Sequence, residues 1–248
     1  MHKKPLIFVG SRYEQALLHL IADLNGHEIL GILDHHYYGS DTKEINHVPY
    51  IGDERWLLDN NNVQAQQWLR TCNFFLANVW NGNQHTNPDT INLQKLRLDR
   101  IKILEDSKAN VINLIHPSSM SLGSGSKYAS LKLGKGIYID DNCYVCPHQV
   151  TIGDYGMVMM NAKLASNSHL GFNVCIGPSA YTHTCTIGDN SFIGMFTKIS
   201  LNHKVGTIHI GNNVTTWANS DVKTHIPDNY IHTDQGRILK KREPYGKD

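Results

Sequence analysis

From residue 152 onward, one position in six is aliphatic: Ile152, Val158, Leu164, Leu170 and Ile176, with Thr182 as a weaker sixth member. Four residues after each stands a small or β-branched residue, namely Gly156, Ala162, Ser168, Val174, Ala180 and Thr186. The beat resumes as Ile187, Ile193, Ile199 and Val205, and again as Ile210, Thr216 and Val222. A period of six is neither the 3.6 of a helix nor the 2 of a lone strand, so it calls for a unit that stacks on copies of itself. A triangular β-coil meets that requirement. Each flat side is one short strand, an aliphatic side chain fills the interior, and only a small neighbour fits beside the corner. Three hexads close one coil, and about five coils fit between residues 133 and 226. An ordinary antiparallel domain would alternate with period two and lack this beat.

Residues 5–115 follow a different rule. A short apolar run at 6–9 is closed by Gly10, and Ser11 is placed to cap a helix whose apolar positions Leu17, Leu18, Ile21 and Leu24 recur at helical spacing until Asn25-Gly26. A second strand over 28–33 ends at Asp34, a loop follows at 37–41, and residues 53–59 form a helix-like patch with Trp56, Leu57 and Leu58. Residues 74–77 and 111–115 read as further buried strands, separated by a helix over 91–106 that carries Leu98, Ile101 and Leu104. This alternation predicts a small parallel sheet covered by helices. After His116-Pro117 a polar, Gly- and Ser-rich stretch at 118–126 marks a connector. The expected organisation is therefore an α/β domain at 1–117, a connector at 118–132, an all-β parallel coil at 133–228 and a tail at 229–248.

Composition removes several classes. With 23 basic and 22 acidic residues the chain has no electrostatic footprint for nucleic acid. No apolar stretch approaches the roughly 18 residues of a membrane helix, the candidate at 74–80 being interrupted by Asn78. The run at 6–9 falls short of the roughly 7–15 residues of an export signal core, so a cytoplasmic protein without membrane or nucleic-acid partners is expected. Five cysteines, at 72, 143, 146, 175 and 185, are an odd number in such a chain and suggest free thiols. Cys143 and Cys146 form one CxxC without a second pair, which reads as small residues within the repeat rather than a zinc site. The basic run Lys240-Lys241-Arg242 reads as a solvated tail.

Hexads joined to a βαβ unit through Leu114-Ile115-His116-Pro117-Ser118, with Ile29-Leu30-Gly31-Ile32-Leu33-Asp34, Ile187-Gly188-Asp189-Asn190 and His225-Ile226-Pro227-Asp228-Asn229, resemble the left-handed β-helix sugar acyltransferases. The closer resemblance is to the sialic-acid-type O-acyltransferases, a family that includes the N-acetyltransferase making diacetylated bacillosamine. It covers nearly the whole chain. It implies a Rossmann-like N-terminal domain that holds a nucleotide-linked sugar, a left-handed parallel β-helix, a homotrimer with active sites between neighbouring subunits, and acetyl-CoA as acyl donor without a metal. The implied activity is acyl transfer to a sugar amine or hydroxyl in surface-polysaccharide synthesis.

The family places its histidine base in a His-Asp/Glu-Cys-x-Ile-Gly stretch. Counting coils from the connector puts that stretch at Ser166-Asn167-Ser168-His169, whereas His183-Thr184-Cys185-Thr186-Ile187-Gly188 carries the motif one coil later with Thr184 in place of the acid. Subtracting eighteen from Ser166 gives His148. The resemblance thus nominates His183 and His148 as the base, an imidazole being able to accept the acceptor's proton near neutral pH. His169 reads as a corner residue, and His203 stands in a slot for a small residue beside a five-residue step that suggests a bulge or short loop. Gly10, Ser11 and Asp34 are nominated for the nucleotide sugar, the first two as a reduced phosphate loop supported by Arg12 and the carboxylate as a partner for ribose or base. Thr184, Asn202 and Trp217 are nominated for the coenzyme, Trp217 replacing the first residue of a Gly-Ala-Gly corner. His35-His36 reads as a solvated loop rather than a metal site. The competing expectation, based on Ser166, Asn167, Cys175 and Trp217, is a catalytically silent scaffold that binds a nucleotide sugar or a partner protein.

Overall fold

The computed structural model describes residues 3–11, 15–77, 93–119 and 130–240, and the chain divides into two compact units, residues 1–84 with 89–114 and residues 85–88 with 115–248. Arg12, Asn78, Ile91, residues 120–126 of the expected connector and Lys241-Arg242 lie outside the described residues, as does the side chain of Leu17.

The first unit carries a sheet of β1 (Leu6–Val9), β2 (Ile29–Leu33), β3 (Glu44–Ile45), β4 (Val48–Gly52) and β5 (Asn73–Leu76) in the order β3-β4-β2-β1-β5. β1, β2, β4 and β5 run parallel, and only β3 is antiparallel. Both β1 and β5 are buried along their whole length, which is why residues 6–9 and 74–76 read as unbroken apolar runs rather than alternating ones. Helices α1 (Gln15–Leu24), α2 (Val63–Thr71) and α3 (Leu93–Asp106) complete the unit. α2 has no counterpart in the apolar pattern because only Ala65 and Trp68 of its largely polar sequence turn inward. The helix-like patch is a 3-10 turn, Glu54–Leu58, capped by Asp53. The strand expected over 111–115 is split: Val111 makes a single bridge to Phe74, and Leu114–Ile115 joins the sheet of the second unit's strands.

The second unit is a stack of parallel coils with three flat faces. One face stacks Lys132–Leu133, Thr151–Ile152, Ser168–Leu170, Cys185–Ile187 and Ile208–Ile210. The next stacks Tyr138–Ile139, Met157–Val158, Cys175–Ile176, Phe192–Ile193 and Thr215–Thr216, and continues into Tyr230–His232. The third stacks Tyr144–Val145, Lys163–Leu164, Tyr181–Thr182, Lys198–Ile199 and Asp221–Val222. The aliphatic residue of each hexad points inward and is buried, as are Ile152, Val158, Leu164, Leu170 and Ile176. Thr182 belongs to the same interior series, and its hydroxyl is satisfied by donating to Ser168 Oγ at 3.0 Å.

The corners explain the beat. Gln149, Tyr155, Asn161, Asn167, Asn173, Ser179, Thr184, Asn190 and Phe196 all have φ between 50° and 59°. Each reverses the chain, so that the residue after it enters the interior, and Ala162, Ser168, Val174 and Ala180 are fully buried there. Asparagine recurs at these positions because its short polar side chain tolerates the left-handed region. Side-chain ladders reinforce one column, with Asn173 Nδ2 donating to Asn190 Oδ1 at 3.0 Å and Asn213 Nδ2 to Asn229 Oδ1 at 2.8 Å.

The register is not uniform. Ile152 pairs with Leu170 eighteen residues on, Leu170 with Ile187 seventeen on, and Ile187 with Ile210 twenty-three on. One residue is lost between Thr182 and Ile187, so Cys185 fills the small interior slot expected for Thr186, which lies at the outward position. The extra residues after Ile199 form a loop over 200–207, closed by a bridge between Asn202 and Gly206, and Val205 lies in that loop rather than on a rung.

Rungs approach closely at corner glycines. A Cβ on Gly194 would stand 2.6 Å from Thr216 O and from the Trp217 carbonyl carbon. Because backbone rather than a flexible side chain would have to yield, Gly194→Ala is expected to cost about 1–3 kcal/mol in urea denaturation. Lys198→Ala, at an exposed outward position, is expected to stay within about 0.5 kcal/mol.

Candidate functional site

In the first unit, the carboxyl ends of β1, β2, β4 and β5 share one edge. The chain runs from β1 to β2 and β4 on one side and returns to β5 on the other, so the order reverses beside β1, where open α/β sheets place ligands. Gly10 follows β1 with φ 89°, and Ser11 is buried next to it. Asp34 ends β2 and caps a 3-10 turn, His35–Tyr37. Both oxygens of its carboxylate are engaged: Oδ2 accepts from Ser11 Oγ at 2.5 Å, and Oδ1 accepts from Arg100 Nη2 at 2.5 Å, His36 N at 3.1 Å and His36 Nδ1 at 3.0 Å.

Glu54, the first residue after the Asp53 cap, is equally engaged. It accepts from Arg100 Nε at 2.8 Å and from both the backbone N and the Nδ1 of His35 at 2.6 Å. Arg100 therefore joins two buried carboxylates, all three side chains being at most 1% exposed. Burial pushes the Asp34 carboxyl up, but the Arg100 guanidinium and the Ser11 and His36 donors outweigh it and hold it below the usual carboxylate range. A depressed folded value means that this stabilisation is present above about pH 4 and is lost as pH falls through the folded value. Beside the cluster, burial and the carboxylates of Asp53, Asp34 and Glu54 push the Tyr50 phenol up, and its hydroxyl is buried without a partner among the described residues.

Asp34, His35 and His36 form a group whose possible ligand atoms lie within 4.8 Å of one another. The Arg100 guanidinium already bonds Asp34 Oδ1 and so supplies a positive charge to this group. Neither Arg100 nor Glu54 emerged from the sequence pattern. The available signal was on α3, where Arg97 and Arg100 fall on the same buried stripe as Leu96, Ile101 and Leu104.

In the second unit, His148, Ser166 and His183 each directly precede a left-handed corner residue, Gln149, Asn167 and Thr184. These corners stack: Asn167 N donates to His148 O at 3.4 Å, Thr184 N to Ser166 O at 3.0 Å and Ile208 N to Thr184 O at 3.3 Å. The three residues thus follow one another along a single corner column, with strands spaced about 4.8 Å apart. The missing residue of the seventeen-residue coil lies in this corner and moves His183 into the column. His148 is exposed, while His183 is half-buried with its ring 6.4 Å from that of Tyr181.

The 200–207 loop leaves the coil at the next corner of the same column and carries Asn202 and an exposed His203. Asn202 holds the loop closed, its Oδ1 accepting from Lys204 N at 2.9 Å and its Nδ2 donating to Lys223 O at 2.9 Å. Trp217, half-exposed, belongs to a different corner, whose backbone stacks on the preceding one through Asn219 N donating to Met195 O at 2.9 Å. His169 is not a corner residue but the middle of Ser168–Leu170, facing outward with Nδ1 3.3 Å from Thr151 Oγ1.

Cys146 adds a group that the repeat pattern had absorbed. Its Sγ lies 3.2 Å from Ser166 Oγ. Burial pushes this thiol up, yet the Ser166 hydroxyl, the His148 amide and the Tyr144 hydroxyl bring it below the ordinary value. By contrast, burial pushes the interior thiols of Cys143 and Cys185 up to about 12.

Neither a protein-family model nor a curated protein sequence matches the chain. Several solved structures do. PerB from Caulobacter crescentus, in complex with CoA and GDP-perosamine, has a TM-score of 0.72 at 18% identity, covering 94% of this chain and 96% of that one. The acetyltransferase domain of PglB from Neisseria gonorrhoeae, in complex with acetyl coenzyme A, gives 0.70 at 18% identity, covering 93% and 96%. WeeI from Acinetobacter baumannii gives 0.68 at 14% identity, covering 95% and 99%. The likeness is one of fold. Stacked parallel strands in a β-helical arrangement are common to this chain and those structures, and none of the helices among the described residues is long and apolar enough to cross a membrane.

Two expectations follow from the geometry. Arg100→Met leaves two buried carboxylates without their cation and should lower unfolding free energy by about 3–5 kcal/mol in denaturant titration. Iodoacetamide labelling of the native protein at pH 8, mapped by peptide mass spectrometry, should modify Cys146 ahead of Cys143 and Cys185.

Proposed function

We propose that this chain transfers an acyl group, acetyl in the first instance, from coenzyme A to an amine or hydroxyl of a nucleotide-linked sugar in surface-polysaccharide synthesis. The observation that carries the reading is the corner column, in which His148, Ser166 and His183 occupy successive rungs next to the long loop excursion of the coil. The complexes of the fold neighbours with CoA, acetyl coenzyme A and GDP-perosamine support the same substrate classes here. In this reading the coil is a left-handed β-helix, the first unit is a Rossmann-like nucleotide-sugar domain, and the protein acts in the cytoplasm as a homotrimer.

His183 is the preferred base, and His148 the second candidate. As the acceptor nitrogen or oxygen attacks the thioester carbonyl, the imidazole takes its proton. The tetrahedral oxyanion is met by donors of the corner, the C–S bond breaks, and the coenzyme thiolate recovers a proton from the imidazolium. Ser166, in the rung between the two histidines, offers a hydroxyl but no general base of matching strength. Thr184 serves through its backbone, which turns the corner, and Asn202 by holding the loop beside it. Trp217 offers the coenzyme an aromatic surface on a separate corner, and Gly10, Ser11 and the Asp34 cluster line the nucleotide end.

Thiol release from acetyl-CoA in the presence of a panel of UDP- and GDP-linked amino sugars tests the proposal. His183→Ala should lower kcat/KM by about 10²–10⁴-fold, with His148→Ala having the smaller effect. Unchanged rates in both variants would remove the assignment. Absence of coenzyme binding to the folded protein would favour the silent-scaffold reading, for which the half-exposed Trp217 indole is the specific observation.

A further inference from the structure

The carboxylate expected to meet the nucleotide is buried and already bonded through both of its oxygens. Asp34 takes four hydrogen bonds from its own chain and is 1% exposed, and Glu54 is 0% exposed with both oxygens engaged. What these carboxylates hold at the surface is a pair of imidazoles. His35 Nδ1 lies 2.6 Å from Glu54 Oε1, and His36 Nδ1 lies 3.0 Å from Asp34 Oδ1. The two rings are 4.2 Å apart with an interplanar angle of 31°, and their side chains keep 30% and 29% exposure.

A neutral imidazole carries one N–H, and the ring nitrogen facing a carboxylate is the one that bears it. Arg100 Nη2 also lies 3.4 Å from His36 Nδ1, a longer contact than the 3.0 Å carboxylate bond that decides the tautomer. Both Nε2 atoms are then left as acceptors, on neighbouring rings that follow the carboxyl end of β2. Their position is fixed twice over, by the carboxylates and by the 3-10 turn that Asp34 caps.

Two neighbouring acceptors are the complement of two neighbouring donors. Within a nucleotide-linked sugar the matching group is the 2′,3′-diol of the ribose, and the end of the second strand of a βαβ unit is where ribose hydroxyls are met. We infer that His35 and His36, rather than Asp34, are the ribose-reading residues of this site, accepting hydrogen bonds from the cis-diol through their Nε2 atoms. Asp34, Glu54 and Arg100 are positioning residues that act through the two rings. The inference rests on the nucleotide-sugar reading proposed above and specifies how this chain would recognise a ribonucleoside diphosphate.

Calorimetric titration of the full-length protein with UDP and GDP, and with their 2′,3′-dideoxy counterparts, tests it without a variant. The ribonucleotide should bind about tenfold more tightly, and in His35→Ala/His36→Ala that preference should disappear while dideoxynucleotide affinity is retained. Equal binding of ribo and dideoxy forms by the unaltered protein would overturn the ribose assignment and leave the nucleotide reading standing. So would a double variant that keeps the preference, or one that loses both forms alike. If neither UDP nor GDP binds in any form, the nucleotide reading falls and this inference with it.

Discussion

Every coil of the second unit depends on a backbone reversal that an L-residue adopts only at a cost, repeated at intervals of six. A left-handed residue at each corner sends the following side chain inward, and the aliphatic residue two positions later falls on the same interior side because strand side chains alternate. The hexad is thus a backbone rule before it is a hydrophobic one. Asn161, Asn167 and Asn173 satisfy it at low cost, whereas Gln149, Tyr155, Thr184 and Phe196 accept more strain. Rung-to-rung hydrogen bonds and a continuous apolar interior hold those corners in place, each coil completing the one before it.

Most of this was legible in the sequence because each residue's surroundings in a solenoid are set by neighbours at a fixed separation. Ile152, Val158, Leu164, Leu170 and Ile176 announce the period, and the break after Thr182 announces the shortened corner. The asparagines at 161, 167 and 173 carried the same message one position before the small residues. The reading failed where the step changed: Thr186 was given an interior slot by extending the count across a deletion, and Val205, which packs against the core from the loop, was given a rung by extending it across an insertion. A one-residue slip exchanges inside for outside along a strand, which is why Cys185 occupies the slot assigned to Thr186.

The first unit resisted for the opposite reason. Arg100 reaches Glu54 across 46 positions and Asp34 across 66, and nothing local to any of the three residues advertises the pairing. A buried arginine on an amphipathic helix looks like an interruption of its apolar stripe until two carboxylates are found beneath it. Asp34 itself was visible as a strand-ending acid. Its burial and its bonds to Ser11, Arg100 and His36 were not, and together they make it an anchor rather than a ligand-facing group. Replacing such a network by apolar residues would often be neutral for stability, so the specific geometry it imposes on His35 and His36 is the more informative consequence.

Irregularity is where the two units become chemically distinctive. A uniform solenoid presents the same corner at every level and offers no reason for a reaction to occur at one of them. Here the loss of one residue draws His183 into the column of His148 and Ser166, and the loop at the following corner closes off further repetition at that level. Both departures use the same physical freedom, since a corner can shorten or extend without disturbing the flat faces on either side: Leu170 still pairs with Ile187, and Ile187 with Ile210. Placing side chains by changing corner length leaves the interior packing intact, so a column of reactive groups can be assembled at a single edge while Ile187, Ile193 and Ile199 continue to fill the core.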